Sequence, residues 1–475
     1  MDSIKWFYTI LQCFTIILIM LLNATSCETN LDTRNLFISA SEEIVFDFID
    51  LNGKLIVKQK IKPLNGIGNG PLYEYKNGQY TIDWSKEFAK LNIPIIRYHD
   101  VEYINRNNQA VNISAIFPNP KADETQVSSY NFSATDQLMK AATETGARII
   151  FRLGENIQNL NSATGDNTLP KDFDKWARIA ERIIAHYEEG WNNGFPYKGI
   201  MWEVWNEPDN HQCWNGTFDA YCEFYKTVWR CIHAKHPDAD ISPSYAYSAE
   251  NRAKLYRYIR DNGLGIGHCF VHHYWNDFAG IGEDAKKLKN ELKQYGLGAD
   301  IIMNEWNYLS PDGKWNNLAA TFYAIQTQQA AAWYAKQLIH MQAAEDLAGA
   351  VYYVSDMPGF WTGLYKRNSK GEFVVLPAYD TFRYFGKLYK LGYEVKPDKV
   401  PEDTYVLAAT DGKKEMGIMV VNDSDKSKEV DVRIKNVRLD EYKIQMKGKK
   451  VHATGEKIRL RLLPYEVSFV NILTQ

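Results

Sequence analysis

Gly199-Ile200-Met201-Trp202-Glu203-Val204-Trp205-Asn206-Glu207-Pro208-Asp209 decides how this chain is read. It opens as an apolar, β-favouring run and closes in Asn-Glu-Pro. Proline cannot donate to a central ladder, so the strand stops there. The chain thereby delivers a carboxylate, Glu207, at a strand's C-terminal end, with the Asn206 amide beside it. A second run, Asp300-Ile301-Ile302-Met303-Asn304-Glu305-Trp306-Asn307, has the same form and delivers Glu305 between amides and an indole. Two strand-end glutamates about a hundred residues apart point to a paired-carboxylate site on a barrel rim.

Outward from these stretches, short apolar runs alternate with amphipathic helices from about residue 60 onward, the pattern of parallel strands joined by crossover helices. The strands are read at Lys60–Leu64, Ile93–Asp100, Arg148–Leu153, the opening stretch, Asp240–Pro243, His268–Trp275, the Glu305 run and Ala350–Asp356. Helices are expected over about 84–91, 134–145, 172–188, 217–235, 249–261, 282–295, 318–344 and 377–391. This is an α/β chain with a (β/α)₈ TIM barrel over residues 59–391. An open doubly wound sheet is the competing topology, but no Gly-rich dinucleotide loop follows the first strand. The polar stretch 101–129 is read as a lid or cleft wall. From 392 to 475 the period becomes two, with turn clusters between runs, which predicts a C-terminal antiparallel β-sandwich. β-like runs in 28–58, such as Glu43–Phe48, would join that domain.

Composition narrows the partners. Of 475 residues, 45% are hydrophobic and 24% charged, as in ordinary globular chains. A formal net charge of −3 gives no reason to expect nucleic acid or an anionic membrane surface. With 13 Trp and 30 Tyr, most aromatics must serve packing, while exposed ones offer flat faces to sugar rings. At the N-terminus, Lys5 precedes an apolar run from Trp6 to Leu22, followed by Ala24-Thr25-Ser26-Cys27. Residues 1–27 therefore read as an export signal, slightly short for a transmembrane span. The same tetrapeptide resembles a bacterial lipobox, which would put a lipid anchor on Cys27. Free secretion, periplasmic residence and lipid anchoring all stay open. Cys213, Cys222, Cys231 and Cys269 could form disulfides in an exported chain, but their spacing selects no pairing and matches no zinc site.

Glu203 lies deeper in its strand and is read as the partner of an interior arginine, Arg97 or Arg152. Glu207 and Glu305 end their strands among amides and indoles instead. Two carboxyl groups about 5–5.5 Å apart can cleave a glycosidic bond with retention, one as acid and one as nucleophile. The acid needs a raised pKa and the nucleophile must stay ionised.

With these residues in view, the chain resembles glycoside hydrolase family 39, the β-xylosidase and α-L-iduronidase family of retaining clan A barrels. The likeness is carried by Asn65-Gly66-Ile67-Gly68-Asn69-Gly70-Pro71, Arg97-Tyr98-His99, Tyr130-Asn131-Phe132, Glu203 to Asp209 with Cys213-Trp214 downstream, and Pro377-Ala378-Tyr379. The resemblance implies Glu207 as acid/base and Glu305 as nucleophile. It implies that Asn206 meets a sugar 2-hydroxyl and that His99 meets another sugar hydroxyl. His272 and Tyr274 fit its His-x-Tyr pattern, with Tyr274 near the nucleophile and His273 turned away. Trp214, Asp356 and Trp361 are rim candidates for shaping subsites. No organic cofactor is implied. Paired histidines raise a metal, but the sequence shows no third ligand.

The activity so implied is a retaining hydrolase releasing terminal sugars, β-xyloside-type foremost, from plant-type oligosaccharides. The rivals are the same mechanism on an iduronide, arabinoside, galactoside or internal linkage, a catalytically silent glycan-binding surface protein, and an architectural surface protein.

Overall fold

The computed structural model describes residues 42–47, 59–99, 101, 110–155, 169–309, 318–355, 361–370 and 372–474. The export signal, Cys27, most of residues 28–58 and the rim candidate Asp356 lie outside the described residues. Among the described residues no helix is long and apolar enough to cross a membrane.

Eight parallel strands form one sheet: β1 (Gly66–Gly68), β2 (Ile95–Tyr98), β3 (Arg148–Leu153), β4 (Met201–Val204), β5 (Asp240–Pro243), β6 (His268–Trp275), β7 (Asp300–Tyr308) and β8 (Leu347–Tyr352). Their order is β5-β4-β3-β2-β1-β8-β7-β6, a barrel with one seam between β5 and β6. Across that seam Gly267 N–H donates to the Ile241 carbonyl at 2.9 Å, His268 N–H donates to Ser242 Oγ at 2.8 Å, and His268 Nδ1 lies 3.0 Å from Asp240 Oδ1. Inside, Ile95, Ile150, Met201, Phe270, Ile302 and Val351 form one apolar layer from six strands. Barrel interiors are filled in such layers, so the polar chemistry is confined to the mouth above it.

The crossover helices follow the sequence periodicity. Phe173–Glu189 is one example: the Asp172 side chain accepts from Lys175 N–H at its start, and Gly190 ends it at φ 78°. Its buried face holds Trp176, Ile179, Ala180, Ile183 and Tyr187. Such caps satisfy backbone groups the helix leaves open.

Three sequence expectations are corrected. The first strand is not Lys60–Leu64 but Gly66–Gly68, because this is where the chain can approach β8; a Cβ on Gly66 would lie 2.5 Å from the Ala350 carbonyl. The helix expected over 318–344 is two helices, Leu318–Ala324 and Gln328–Ala343, since the Thr327 side chain caps Ala330 N–H and starts a new one. The described part of the 101–129 stretch is no lid. Its short helix Ile113–Ile116 packs inward, with Ile113 N–H on the Gly154 carbonyl and Asn112 Oδ1 accepting from Arg152.

After the last barrel helix, Pro377–Leu391, two sheets enclose a second core. A five-stranded antiparallel sheet contains Tyr393–Val395, Thr404–Thr410, Glu415–Asn422, Val467–Thr474 and Tyr442–Met446. The facing sheet contains Lys428–Lys435, Lys457–Leu462 and His452–Thr454. Glu42–Asp47 adds to its edge, parallel to Lys428–Lys435. Ile44, Val406, Ile418, Val432 and Leu460 meet between the sheets.

Candidate active site at the mouth of the barrel

Past the end of β4 the backbone enters the left-handed region twice, at Trp205 (φ 72°) and Glu207 (φ 41°). Side chains rarely adopt this conformation, and neighbouring contacts must hold it. Trp205 N–H donates to the Leu153 carbonyl at 2.7 Å, its indole N–H to the Cys213 carbonyl at 2.9 Å, and Glu207 N–H to Ser244 Oγ at 3.2 Å.

Glu305 is aimed by a different device. Between Ile302 and Glu305, β7 advances three residues while β6 advances two, from Phe270 to His272. Against β8 the same mismatch separates Met303 from Trp306. The extra residue breaks strict alternation, so consecutive side chains can both face the interior. Asn304 Nδ2 thus reaches Glu203 Oε1 at 3.0 Å, while Glu305 enters the site.

Arg97, buried on β2, organises the floor. Its Nε donates to Glu203 Oε2 at 2.7 Å, Nη1 to Glu305 Oε1 at 2.5 Å and Nη2 to Asn206 Oδ1 at 3.0 Å. Glu305 Oε2 accepts from the Tyr274 hydroxyl at 2.8 Å. His272 lies between the two carboxylates, with Nδ1 2.7 Å from Glu207 Oε1 and 3.4 Å from Glu305 Oε2. Glu207 Oε2 accepts from Asn210 Nδ2 at 2.9 Å. Arg152 Nε donates to His99 Nδ1 at 3.0 Å, so the neutral ring carries its proton on Nε2, 3.7 Å from Glu305 Oε1.

The electrostatics follow from these contacts. Burial, then the charges of Arg97 and Arg152, holds His99 well below the ordinary histidine range. Burial alone would lower His272 too, but Glu305 and Glu207 reverse it and raise the ring. Burial raises Glu207, yet the His272 hydrogen bond and charge and the Asn210 amide outweigh it and leave the carboxyl lowered. The acid expected to be held neutral is instead shifted toward its ionised form, because the raised His272 ring lies against it. Burial, then the Glu305 charge, keeps the Tyr274 hydroxyl protonated.

Two outcomes follow from this network. Arg97→Met leaves Glu203 and Glu305 buried without their cation and is expected to cost about 3–5 kcal/mol of stability, read by urea unfolding. A loss under about 1 kcal/mol would remove Arg97 as the organiser. The second concerns pH. A raised His272 stabilises the fold fully below about pH 6.5 and loses this as pH rises through its folded value. A lowered Glu207 stabilises above about pH 4.3 and loses this as pH falls through its folded value. The melting-temperature deficit of His272→Gln is therefore expected to peak between those limits. A deficit flat from pH 4 to 9, to the nearest degree or so, contradicts the ion pair.

The structure brings together Glu207, Glu305, His99, Asn206, His272 and Tyr274. His272 and Tyr274 share one face of β6, while His273 points outward onto Phe278, ring centroids 4.6 Å apart. Trp361 is partly exposed, with its ring 5.4 Å from that of Tyr274, so it can wall the pocket. Trp214 is corrected: only 2% exposed, it packs against Trp205, Tyr221 and Phe224 behind the β4 turn and cannot meet a sugar. Oxygens of Glu207 and Glu305 and a nitrogen of His272 lie within 4.8 Å of one another, while His273, the other of the paired histidines, stays outside this cluster. Arg97 and the His272 ring already bring cationic donors to these carboxylates. Sequence reading offered Arg97 or Arg152 as the partner of Glu203; Arg97 takes that place, and its bonds to Glu305 and Asn206 were missed. It also missed Asn210 and Ser244, which support Glu207. The position three residues beyond Glu207 in a turn was the available signal for Asn210.

Residues 67–294 match the model of Glycosyl hydrolases family 39. A β-xylosidase of Geobacillus stearothermophilus is 24% identical over 122 residues, and the match spans only 24% of this chain and 24% of that protein. The structure of a glucosidase from Croceicoccus marinus superposes with a TM-score of 0.72 at 16% identity, covering 92% of this chain and 100% of that one. A GH39 enzyme from Xanthomonas axonopodis pv. citri superposes at 0.67 and 16% identity, covering 94% and 100%.

Proposed function

From the chain's membership of glycosyl hydrolase family 39, carried by residues 67–294, we propose that it is a retaining glycoside hydrolase. It cleaves terminal sugars, β-xylosides first, from plant-type oligosaccharides by double displacement. The observation that carries this reading is the approach of Glu207 and Glu305: one oxygen of each, with a His272 nitrogen, lies within 4.8 Å. That closeness suits direct attack and leaves little room for the water an inverting pair needs between its carboxyls.

Glu305 is the nucleophile. Its hydrogen bonds from Arg97 and Tyr274 keep the carboxylate oriented for attack on the anomeric carbon. Glu207, at the exposed side of the pair, gives a proton to the leaving oxygen and then takes one from water. Asn206 is held by Arg97 through Oδ1 and donates one Nδ2 hydrogen to Cys213 Sγ at 3.7 Å, which leaves the second Nδ2 hydrogen for a sugar hydroxyl. His99 Nε2–H is a second donor, and Trp361 a flat wall. The protein acts after export, free or anchored at Cys27, on a carbohydrate partner.

Proton NMR of the first anomer released from an aryl β-xyloside tests the mechanism. Retention is expected. Initial release of the inverted anomer would refute it.

A further inference from the structure

We propose that Tyr247 is the leaving-group platform of this cleft, a flat face on which the departing sugar or aryl ring rests. The inference rests on the glycosidase reading above. The proton donor must face the leaving oxygen, so the departing group lies on the Glu207 side of the pair, away from Glu305. On that side the chain leaving β5 turns back through Ser244 to Ser248.

Tyr247 lies in this turn and is 44% exposed. A singly exposed aromatic is ordinary on a protein surface. What distinguishes this one is how firmly it is held and what it touches. The carboxylate of Asp209, two residues past Glu207, accepts from Tyr247 N–H at 3.3 Å and Ser248 N–H at 2.9 Å. On the other side, Arg252 Nη1 donates to the carbonyls of Ala246 at 3.1 Å and Tyr247 at 2.7 Å. Arg252 is itself fixed by Glu291 at 2.9 Å. The turn is thereby tied to the segment bearing the proton donor.

Ring contacts lead from Tyr247 into the site. Its ring is 5.9 Å from that of Tyr245, which is 5.3 Å from that of His272, the donor to Glu207. Partial burial, then the Glu207 charge, raises the Tyr247 hydroxyl. It stays protonated at working pH and can donate to a sugar oxygen while the ring face meets C–H groups. A clamped aromatic lets a ligand stack with little ordering cost.

The test compares two substrates, xylobiose, whose leaving group is a sugar ring, and β-D-xylosyl fluoride, whose leaving group is a single atom. Tyr247→Ala is expected to lower kcat/KM on xylobiose on the order of tenfold more than on the fluoride. Tyr247→Phe, which keeps the flat face, is expected to recover most of that difference. Should the alanine variant fail to fold, Tyr247→Leu carries the same comparison, keeping bulk without an aromatic face. Equal losses on both substrates, with wild type active on both, overturn the platform and leave the glycosidase reading intact. A wild-type protein inactive on both overturns that reading and the platform with it.

Discussion

Glu305→Ala is expected to lower turnover of an activated aryl β-xyloside by on the order of 10⁴-fold or more, about 5 kcal/mol of barrier. On the proposed mechanism the substitution removes the atom that bonds to the anomeric carbon and leaves water alone to attack. The vacated volume lies beside Arg97 and Tyr274, whose donors then face an empty site. A small anion can fill it. With azide added, activity is expected to return as a glycosyl azide of inverted configuration, because one displacement replaces two. Residual activity within about tenfold of wild type would refute the role assigned to Glu305. Far-ultraviolet circular dichroism of the variant separates lost chemistry from lost fold.

Glu207→Ala should discriminate among leaving groups. Protonation contributes about 10²–10⁴-fold where the departing oxygen is basic and little where it leaves readily. The variant is therefore expected to lose about 10³-fold on xylobiose and tenfold or less on a dinitrophenyl xyloside. Azide should here give a product of retained configuration, since it intercepts the sugar already bonded to Glu305. Equal losses across leaving groups would exclude Glu207 as the proton donor. The carboxyl's surroundings add a constraint: Glu207 is lowered and His272 raised, 2.7 Å apart. On the proposed mechanism, the proton required by the leaving oxygen is held in that pair, and bound substrate must shift it toward the carboxylate.

Most strands and helices, and the placing of the two glutamates at strand ends, were legible because each depends on local pattern. Asn-Glu-Pro after an apolar run announces a strand end, and a second Asn-Glu after another announces its counterpart. Glu203 was read as an arginine partner from its depth in the strand, and Arg97 takes that place. Contacts depending on several elements at once were illegible. Trp214 shares local context with a rim aromatic, and only the packing of Trp205, Tyr221 and Phe224 around it shows otherwise. The ionised state of Glu207 depends on His272, 65 positions away, and no spacing rule connects them. The first strand was misplaced because its determinant is steric: the absence of a Cβ on Gly66 matters only once β8 lies alongside.

Losing one codon within Met303-Asn304 would leave every other side chain of the cleft unaltered. β7 would return to step with both neighbours, with Glu305 still opposite His272. What goes is the second inward side chain: either Asn304 itself or the extra step that lets its amide reach Glu203 beside Glu305. One surplus residue between adjacent ladders thus ties the deep glutamate of β4 to the strand that carries the other carboxylate.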